Sequence, residues 1–395
     1  MLARSHSVLQ NGRDYFAVHC KTKYMKRWVN KYIADDLEKK IVLLSGPRQV
    51  GKTTVSKELL ENYQYLNFDS SEDRKIILSK TWSRKPDLVV FDELHKYPKW
   101  KSWIKGIFDT EGVRPRLLVT GSARLDTYKK GGDSLAGRHF HFRLHPFSVA
   151  ELKDQMDPEV CLERLLNLGG FPEPFLSDSP DFAKRWRSVH IERILKEDLL
   201  ELEQVRNIKL VEMLTDLLAE RVGSPISYSS LARDLEISPH TVKKWIGILE
   251  SLYVIFAVPS FSKNVARSVL KEPKIYFYDV GRVKADEAAR IENVVALSLL
   301  KKLHKGQDLR GEKSTLYYVR DKEKREVDFL TVVDKQIIDL VEVKQSDSAL
   351  SKSLFYFTER LKPKYPVQVV LQLAKAKSAG IISIERAVDW LQLQG

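Results

Sequence analysis

The sequence predicts an α/β fold: a parallel sheet with flanking helices, then a helical segment, then a smaller α/β domain. Three observations predict it. A glycine-rich loop, Gly46-Pro47-Arg48-Gln49-Val50-Gly51-Lys52-Thr53, joins an apolar strand-type run, Lys40–Ser45, to a helix-type run beginning at Thr54. Residues 40–150 alternate short apolar runs with amphipathic ones, the pattern of parallel strands connected through helices. The last third carries three consecutive strand-type runs separated by polar turns.

Residues 1–21 read as a basic arm. The first thirty residues hold six Lys/Arg against one acid, Asp14. Residues from 22 to 38 read as a lead-in helix packed on the domain that follows, which extends to residue 150. Its strands are expected at Ile41–Leu44, Tyr65–Asn67, Leu88–Asp92 and Arg116–Thr120. In such a sheet, ligands sit at the carboxyl ends of the strands.

The loop after the first strand reads G-x-x-x-x-G-K-T and lies between a strand and a helix, the context a P-loop requires. Gly46, Pro47, Arg48, Gln49, Val50, Gly51, Lys52, Thr53 and Thr54 form the candidate phosphate cradle, through the backbone N–H groups of all but Pro47. Lys52 would reach the β- and γ-phosphates, and the Thr53 hydroxyl would ligate Mg²⁺. A chance match in a glycine-containing loop is the competing reading, and a second motif weakens it. Leu88-Val89-Val90-Phe91-Asp92-Glu93 is a buried-type strand ending in two carboxylates, a Walker B pattern. Asp92 falls on the Mg²⁺ side, and Glu93 would orient and polarise the attacking water. The Asp-Glu pair points to hydrolysis as well as binding.

Further candidates follow. Ser122 ends the strand that begins at Arg116, where a polar side chain can touch the γ-phosphate or the lytic water. Arg138, in Ser134-Leu135-Ala136-Gly137-Arg138, could stabilise transition-state charge from its own or a neighbouring subunit; Arg124 is its rival, and a structural salt bridge is the alternative for Arg138.

Residues 151–222 read as a helical lid or linker, broken at Gly169-Gly170-Phe171-Pro172-Glu173-Pro174. Residues 223–269 read as a winged helix. Ser227–Leu235 supplies a first helix, and Ser238 caps a second in which Val242, Trp245, Ile246 and Leu249 form the buried stripe. Thr241, Lys243 and Lys244 fall off that stripe, where a recognition helix would meet DNA; packing against protein is the equal alternative.

In residues 270–395, Thr315–Arg320 and Glu326–Val333 form a hairpin, and Gln336–Lys344 returns beside them. Asp328 precedes Glu342 by fourteen residues, and Glu342-Val343-Lys344 reads E-x-K, with Glu342 and Lys344 on one face. This resembles the PD-(D/E)-x-K core of restriction endonucleases and their relatives. There, Asp328 and Glu342 would hold Mg²⁺, Lys344 would position a water, and Glu292 matches the helical acid some members add. No proline precedes Asp328, so the pattern departs from its full form, and a tail that binds without cutting is the alternative.

Composition bounds the rest. A length of 395 residues predicts two or three domains; 43% hydrophobic and 30% charged residues describe a globular protein. No run of about 18 apolar residues exists, so no membrane span is expected. Two cysteines, Cys20 and Cys161, without CxxC spacing, argue against a disulfide framework or structural zinc and make a reducing cytoplasm the default. A net charge of +13 is compatible with a polyanionic partner.

The ordered set GPRQVGKT, VVFDE, LLVTGSAR, SLAGR, HPFSVAEL, GGFPEP, EVDF and EVK is similar to that of a widespread group of prokaryotic AAA-type ATPases of the AAA+ superfamily. These carry a C-terminal domain of unknown function with a restriction-endonuclease-like core. The resemblance implies ATP and Mg²⁺ as cofactors, hydrolysis of ATP, and Ser122 at the sensor-1 position. ATP is inferred from this resemblance together with the absence of a clear guanine-reading N-K-x-D motif, and GTP stays open as an alternative. Three functions compete. The first is an ATPase acting on nucleic acid, DNA favoured, whose tail binds or cuts it. The second is a regulatory switch binding protein partners, with the tail inert. The third is an oligomeric remodeller, for which Arg138 acting across a homo-oligomer would be evidence.

Overall fold

The computed structural model describes residues 25–121, 135–198, 207–262, 272–347 and 349–395. Helix α1 (Val29–Leu37) buries Val29, Ile33 and Leu37, a stripe at four-residue spacing. Five strands follow: β1 (Ile41–Ser45), β2 (Tyr63–Asn67), β3 (Leu88–Asp92), β4 (Arg116–Thr120) and β5 (His139–Arg143). They form one sheet in the order β2-β3-β4-β1-β5, every pair parallel. Both β1 and β3 are buried at every position. Their unbroken apolar runs are what a parallel strand covered on two faces demands. Helices α2 (Lys52–Glu58), α3 (Ser71–Ser79) and α4 (Trp100–Glu111) supply the crossovers. The register aligns Asn67, Asp92 and Thr120 in one row at the carboxyl ends of β2, β3 and β4.

The helical segment holds α5 (Val149–Leu152), α6 (Pro158–Leu168), α7 (Pro172–Ser177), α8 (Pro180–Arg193) and α9 (Ile208–Ala219). Each of α6, α7 and α8 begins on a proline, whose missing N–H costs nothing in a first turn. The expected break at Gly169–Pro174 is the junction of α6 and α7. Helix α8 runs on into one π-type turn, Ile194–Asp198.

Helices α10 (Tyr228–Asp234) and α11 (Pro239–Ser251) precede an antiparallel pair, β6 (Ile255–Val258) and β7 (Lys274–Phe277). The Ser238 hydroxyl accepts from the Thr241 N–H and caps α11. The buried face of α11 is Val242, Trp245, Ile246, Ile248 and Leu249; Lys243 and Lys244 are exposed.

The tail is a mixed sheet against a long helix, α12 (Glu287–Arg310). Its strands are β8 (Ser314–Arg320), β9 (Glu326–Val333), β10 (Gln336–Ser346), β11 (Tyr365–Gln372), β12 (Lys377–Ala379) and β13 (Ile382–Arg386), in the order β12-β13-β11-β10-β9-β8. Helices α13 (Lys352–Leu361) and α14 (Ala387–Gln392) complete it. Helix α12 packs on β8, β9 and β10 and also meets β5 of the first sheet. Asn293 on α12 exchanges two hydrogen bonds of 2.8 Å with the backbone of Phe277, which fixes β7 to the tail. Among the described residues, no helix is long and apolar enough to cross a membrane.

Candidate active site

The P-loop connects β1 to α2 at the carboxyl end of the sheet. Gly46 takes φ 146°, and a Cβ there would stand 2.3 Å from the Leu144 carbonyl oxygen, so only glycine fits. Lys52 Nζ donates to the carbonyls of Gly46 (2.9 Å) and Pro47 (2.7 Å), folding the lysine back onto the loop. Thr53 Oγ1 stands 3.4 Å from Asp92 Oδ2. Asp92 is held from three further directions. The Tyr65 hydroxyl donates to Oδ2, the Thr120 hydroxyl to Oδ1, and the Glu93 N–H to Oδ1 at 3.1 Å. Burial, then the neighbouring Asp92 charge, pushes the Tyr65 phenol above its ordinary range, so it remains a donor.

Glu93 sits directly beyond β3 with φ 56°, a left-handed conformation that a non-glycine residue rarely takes. Its N–H also donates to the Thr120 carbonyl at 3.0 Å, which pins the turn. Among the described residues its buried Oε2 lacks a hydrogen-bond partner; His95 Nε2 is 3.5 Å away. Burial raises the Glu93 carboxyl to about 7, with Lys52 opposing and Asp92 adding to the shift.

These residues line a cavity of about 640 Å³. Arg48, Gln49, Gly51, Lys52, Thr53, Thr54, Asp92 and Glu93 form its polar wall. Met25, Phe147, Pro172 and Leu176 form an apolar one. Arg27 and Arg193 also reach it. The donor set fits a nucleotide–Mg²⁺ pair: one hydroxyl, one fixed carboxylate and backbone N–H groups at a helix start, with open space for phosphate oxygens and water.

Several groups that shape this cleft carry no motif. Arg27 is buried; its guanidinium donates to the Val50 carbonyl of the P-loop at 3.0 Å, to the His145 carbonyl, and to Glu151 at 2.8 Å. Glu151 also pairs with Lys301 of α12, so this buried ionic group ties the P-loop to the tail. Burial raises the Glu151 carboxyl, but Arg27 and Lys301 outweigh it and hold the group at about 2. From the end of α8, Glu197 takes Arg48 at 2.6 Å and Arg193 at 3.7 Å. Of the two hydroxyls that fix Asp92, Thr120 ends β4 and Tyr65 lies in the middle of β2; neither belongs to a motif.

Other candidates lie elsewhere. Ser122 and Arg124 lie outside the described residues. Arg138 precedes β5, its carbonyl accepting from the N–H of Ile41 at the start of β1. That is the end of the sheet opposite the P-loop, and its guanidinium pairs with Asp109 at 2.6 Å. The fold therefore does not bring Arg138 to the cleft of its own chain.

The tail candidates do meet. Val341 pairs with Phe329 across antiparallel β10 and β9, which sets Glu342 opposite Asp328. Asp328 Oδ2 accepts from the Val343 N–H at 2.9 Å, and Lys344 Nζ lies 2.7 Å from Glu342 Oε1. Glu292, from α12, joins them through a residue the motif does not contain, Lys274 of β7. Burial, then the Asp328 charge, raises both Glu292 and Glu342 to about 7.

Residues 38–153 match the family model described as AAA domain. The nucleotide-binding domain has the AAA-type P-loop ATPase fold. Residues 161–286 match a domain of unknown function (DUF8612), and residues 288–387 match another (DUF4143). The chain is 27% identical over 249 residues to an uncharacterised protein of Mycobacterium tuberculosis, covering 61% of this chain and 54% of that one. It is 25% identical over 347 residues to an uncharacterised protein of Methanocaldococcus jannaschii, covering 76% of this chain and 75% of the relative. The chain spans about half the length of the mycobacterial relatives it matches. Among solved structures, a Thermotoga maritima RuvB variant matches with a TM-score of 0.30 and 14% identity, over 64% of this chain and 90% of that one. The replication initiator DnaA bound to AMPPCP and single-stranded DNA matches with a TM-score of 0.30 and 16% identity, over 56% and 86%. These superpositions are loose, so the fold assignment rests on the sheet order, the P-loop and the family model.

Proposed function

We propose that the chain binds ATP with Mg²⁺ at the P-loop and hydrolyses it, and that turnover governs contact with a nucleic acid. The observation that carries the ATPase reading is Glu93: a buried carboxylate oxygen without a hydrogen-bond partner among the described residues, beside a firmly held Asp92 and at the rim of the P-loop cavity. Such an oxygen suits an attacking water. Raised to about 7, the group takes up a proton readily near neutral pH.

The roles follow from position. Backbone N–H groups of residues 48–53, at the turn and the start of α2, receive the phosphates. Lys52 exchanges the Gly46 and Pro47 carbonyls for phosphate oxygens. Thr53 and Asp92 stand on the metal side, with Tyr65 and Thr120 keeping Asp92 in place. When bound, Mg²⁺ neutralises charge developing on the phosphates. Arg48 and Arg193 are cations of this chain that reach the cleft, and the apolar wall of Met25, Phe147, Pro172 and Leu176 accepts the base. Arg138 takes part only where a second copy presents it to a neighbour's cleft.

The nucleic-acid part is supported by exposed Lys243 and Lys244 on α11 and by the net charge of +13. The test is ATP hydrolysis with and without single- and double-stranded DNA at low and moderate salt. Stimulation that fades as salt rises, with binding weakening by a log–log slope of about −0.9 per neutralised phosphate, supports it. Hydrolysis indifferent to DNA at both salts overturns it. A protein-partner switch with an inert tail is the second reading. It is favoured by the ion pairs that Lys274 makes with the tail acids.

A further inference from the structure

Strand β7 delivers a lysine into the carboxylate cluster of the tail. Lys274 is 1% exposed. Its Nζ lies 2.9 Å from Glu326 Oε1, 3.1 Å from Asp328 Oδ1 and 3.2 Å from Glu292 Oε1. An ammonium has three N–H donors, and here three carboxylates from β9 and α12 surround it. The backbone cannot easily withdraw it: β7 pairs with β6 across Val258–Lys274, Lys274 bridges to Pro225, and Phe277 is fixed to Asn293.

The acids are correspondingly committed. Asp328 gives one oxygen to Lys274 and the other to the Val343 N–H. Glu292 Oε1 accepts from Lys274 and from the Tyr276 hydroxyl at 2.6 Å. Glu342 is paired with Lys344 through Oε1, and its buried Oε2 makes no hydrogen bond among the described residues. Lys274 Nζ occupies the point between Asp328, Glu292 and Glu326 where a divalent ion would sit, and its positive charge repels one; Mg²⁺, which demands near-octahedral oxygen ligation at about 2.1 Å, has no place beside it. Among the described residues, no group of three His, Cys, Asp or Glu side chains is arranged to hold a metal ion. The residues present therefore do not fit the divalent ion that the Asp328, Glu342 and Lys344 pattern implies.

We propose that Lys274 is the resident cation of this cluster, standing in for the divalent metal of a nuclease centre and fastening the β6–β7 pair to the sheet and helix α12 of the tail. The tail as folded then has no metal-dependent cleavage. Its acids act as a socket for β7. Lys274 would otherwise be a buried cation without a purpose in either the ATPase cleft or the α11 surface.

The test is Mn²⁺ binding to the nucleotide-free full chain, read by loss of the free-ion electron paramagnetic resonance signal. Wild type is expected to leave that signal intact. Lys274→Met is expected to gain one Mn²⁺ site per chain, and Lys274→Met with Asp328→Asn to lose it again. Because removing the cation strands several acids, a second variant, Lys274→Met with Glu326→Gln, sheds one acid together with the lysine while retaining Asp328, Glu292 and Glu342. A wild-type chain that binds Mn²⁺ through Asp328 overturns the proposal. So does either Lys274→Met variant, folded by circular dichroism, that gains no Mn²⁺ site.

Discussion

Glu197, just past helix α8, holds Arg48 of the P-loop at 2.6 Å, so a carboxylate of the helical segment occupies a guanidinium at the mouth of the P-loop cleft. The same carboxylate lies 3.7 Å from Arg193. Two cations that a triphosphate would attract are thus engaged by one acid. The Glu197 side chain is half exposed, so the pair's strength is modest, on the order of 0.2–1 kcal/mol. Glu197→Gln is expected to tighten ATP binding by up to about fivefold, the same range expressed as affinity. Titration with a fluorescent ATP analogue checks it; unchanged or weaker binding contradicts the competition.

Lys52 presently satisfies two loop carbonyls, so its replacement affects both the empty and the filled loop. Lys52→Ala is expected to abolish ATP turnover while leaving the melting temperature within a few degrees of wild type. A Lys52→Ala chain that hydrolyses ATP at the wild-type rate would move the nucleotide site elsewhere.

The buried group of Arg27, Glu151 and Lys301 predicts a large stability effect. Side-chain exposures are 4%, 2% and 6%, so removing the shared acid leaves two cations uncompensated away from water. Glu151→Ala is expected to destabilise by about 3–5 kcal/mol in urea unfolding. The pH sign follows from the same contacts. Glu151 is held at about 2, below its ordinary value of 4.5. Its contribution is present above about pH 4.5 and is lost as pH falls toward 2. A loss under 1 kcal/mol would mean that the three charges are solvated.

His190 gives a second pH prediction in a different window. Its ring stacks on Trp186 at 4.4 Å, and Nε2 lies 3.3 Å from the Arg48 carbonyl. Burial, aided by the Arg282 charge, lowers its pKa from 6.5 to about 3. The fold therefore favours the neutral ring. Its contribution is complete above about pH 6.5 and is lost as pH falls toward 3. In between, it changes by up to about 1.4 kcal/mol per pH unit. Melting curves of wild type and His190→Phe between pH 7.5 and 5 check this: wild type should lose stability more steeply on acidification. Parallel pH profiles would contradict the assignment.

The α/β fold was legible because its signals are local. Lys40–Ser45 and Leu88–Asp92 are unbroken apolar runs, and the P-loop is one contiguous motif between a strand and a helix. The meeting of Asp328 with Glu342 was legible for a related reason: two adjacent strands with a short turn leave little freedom of register. Tyr65, Thr120, Arg27 and Lys274 were not legible. Lys301 and Glu151 are 150 residues apart, and Lys274 and Asp328 are 54 apart. No periodicity or spacing links such residues; only the packing of α12 against both sheets does. Lys274 in particular sits in a strand, Lys-Ile-Tyr-Phe, whose sequence gives no sign that its first side chain is an ion-pair centre.

The most direct test of the nucleotide site is a paired measurement of ATP binding and steady-state ATP hydrolysis by wild type and Glu93→Gln. The account predicts that both chains bind ATP with similar affinity and that hydrolysis by Glu93→Gln falls by about 100-fold or more, the scale of losing a positioned general base. A Glu93→Gln chain that binds and hydrolyses ATP at the wild-type rate would contradict it.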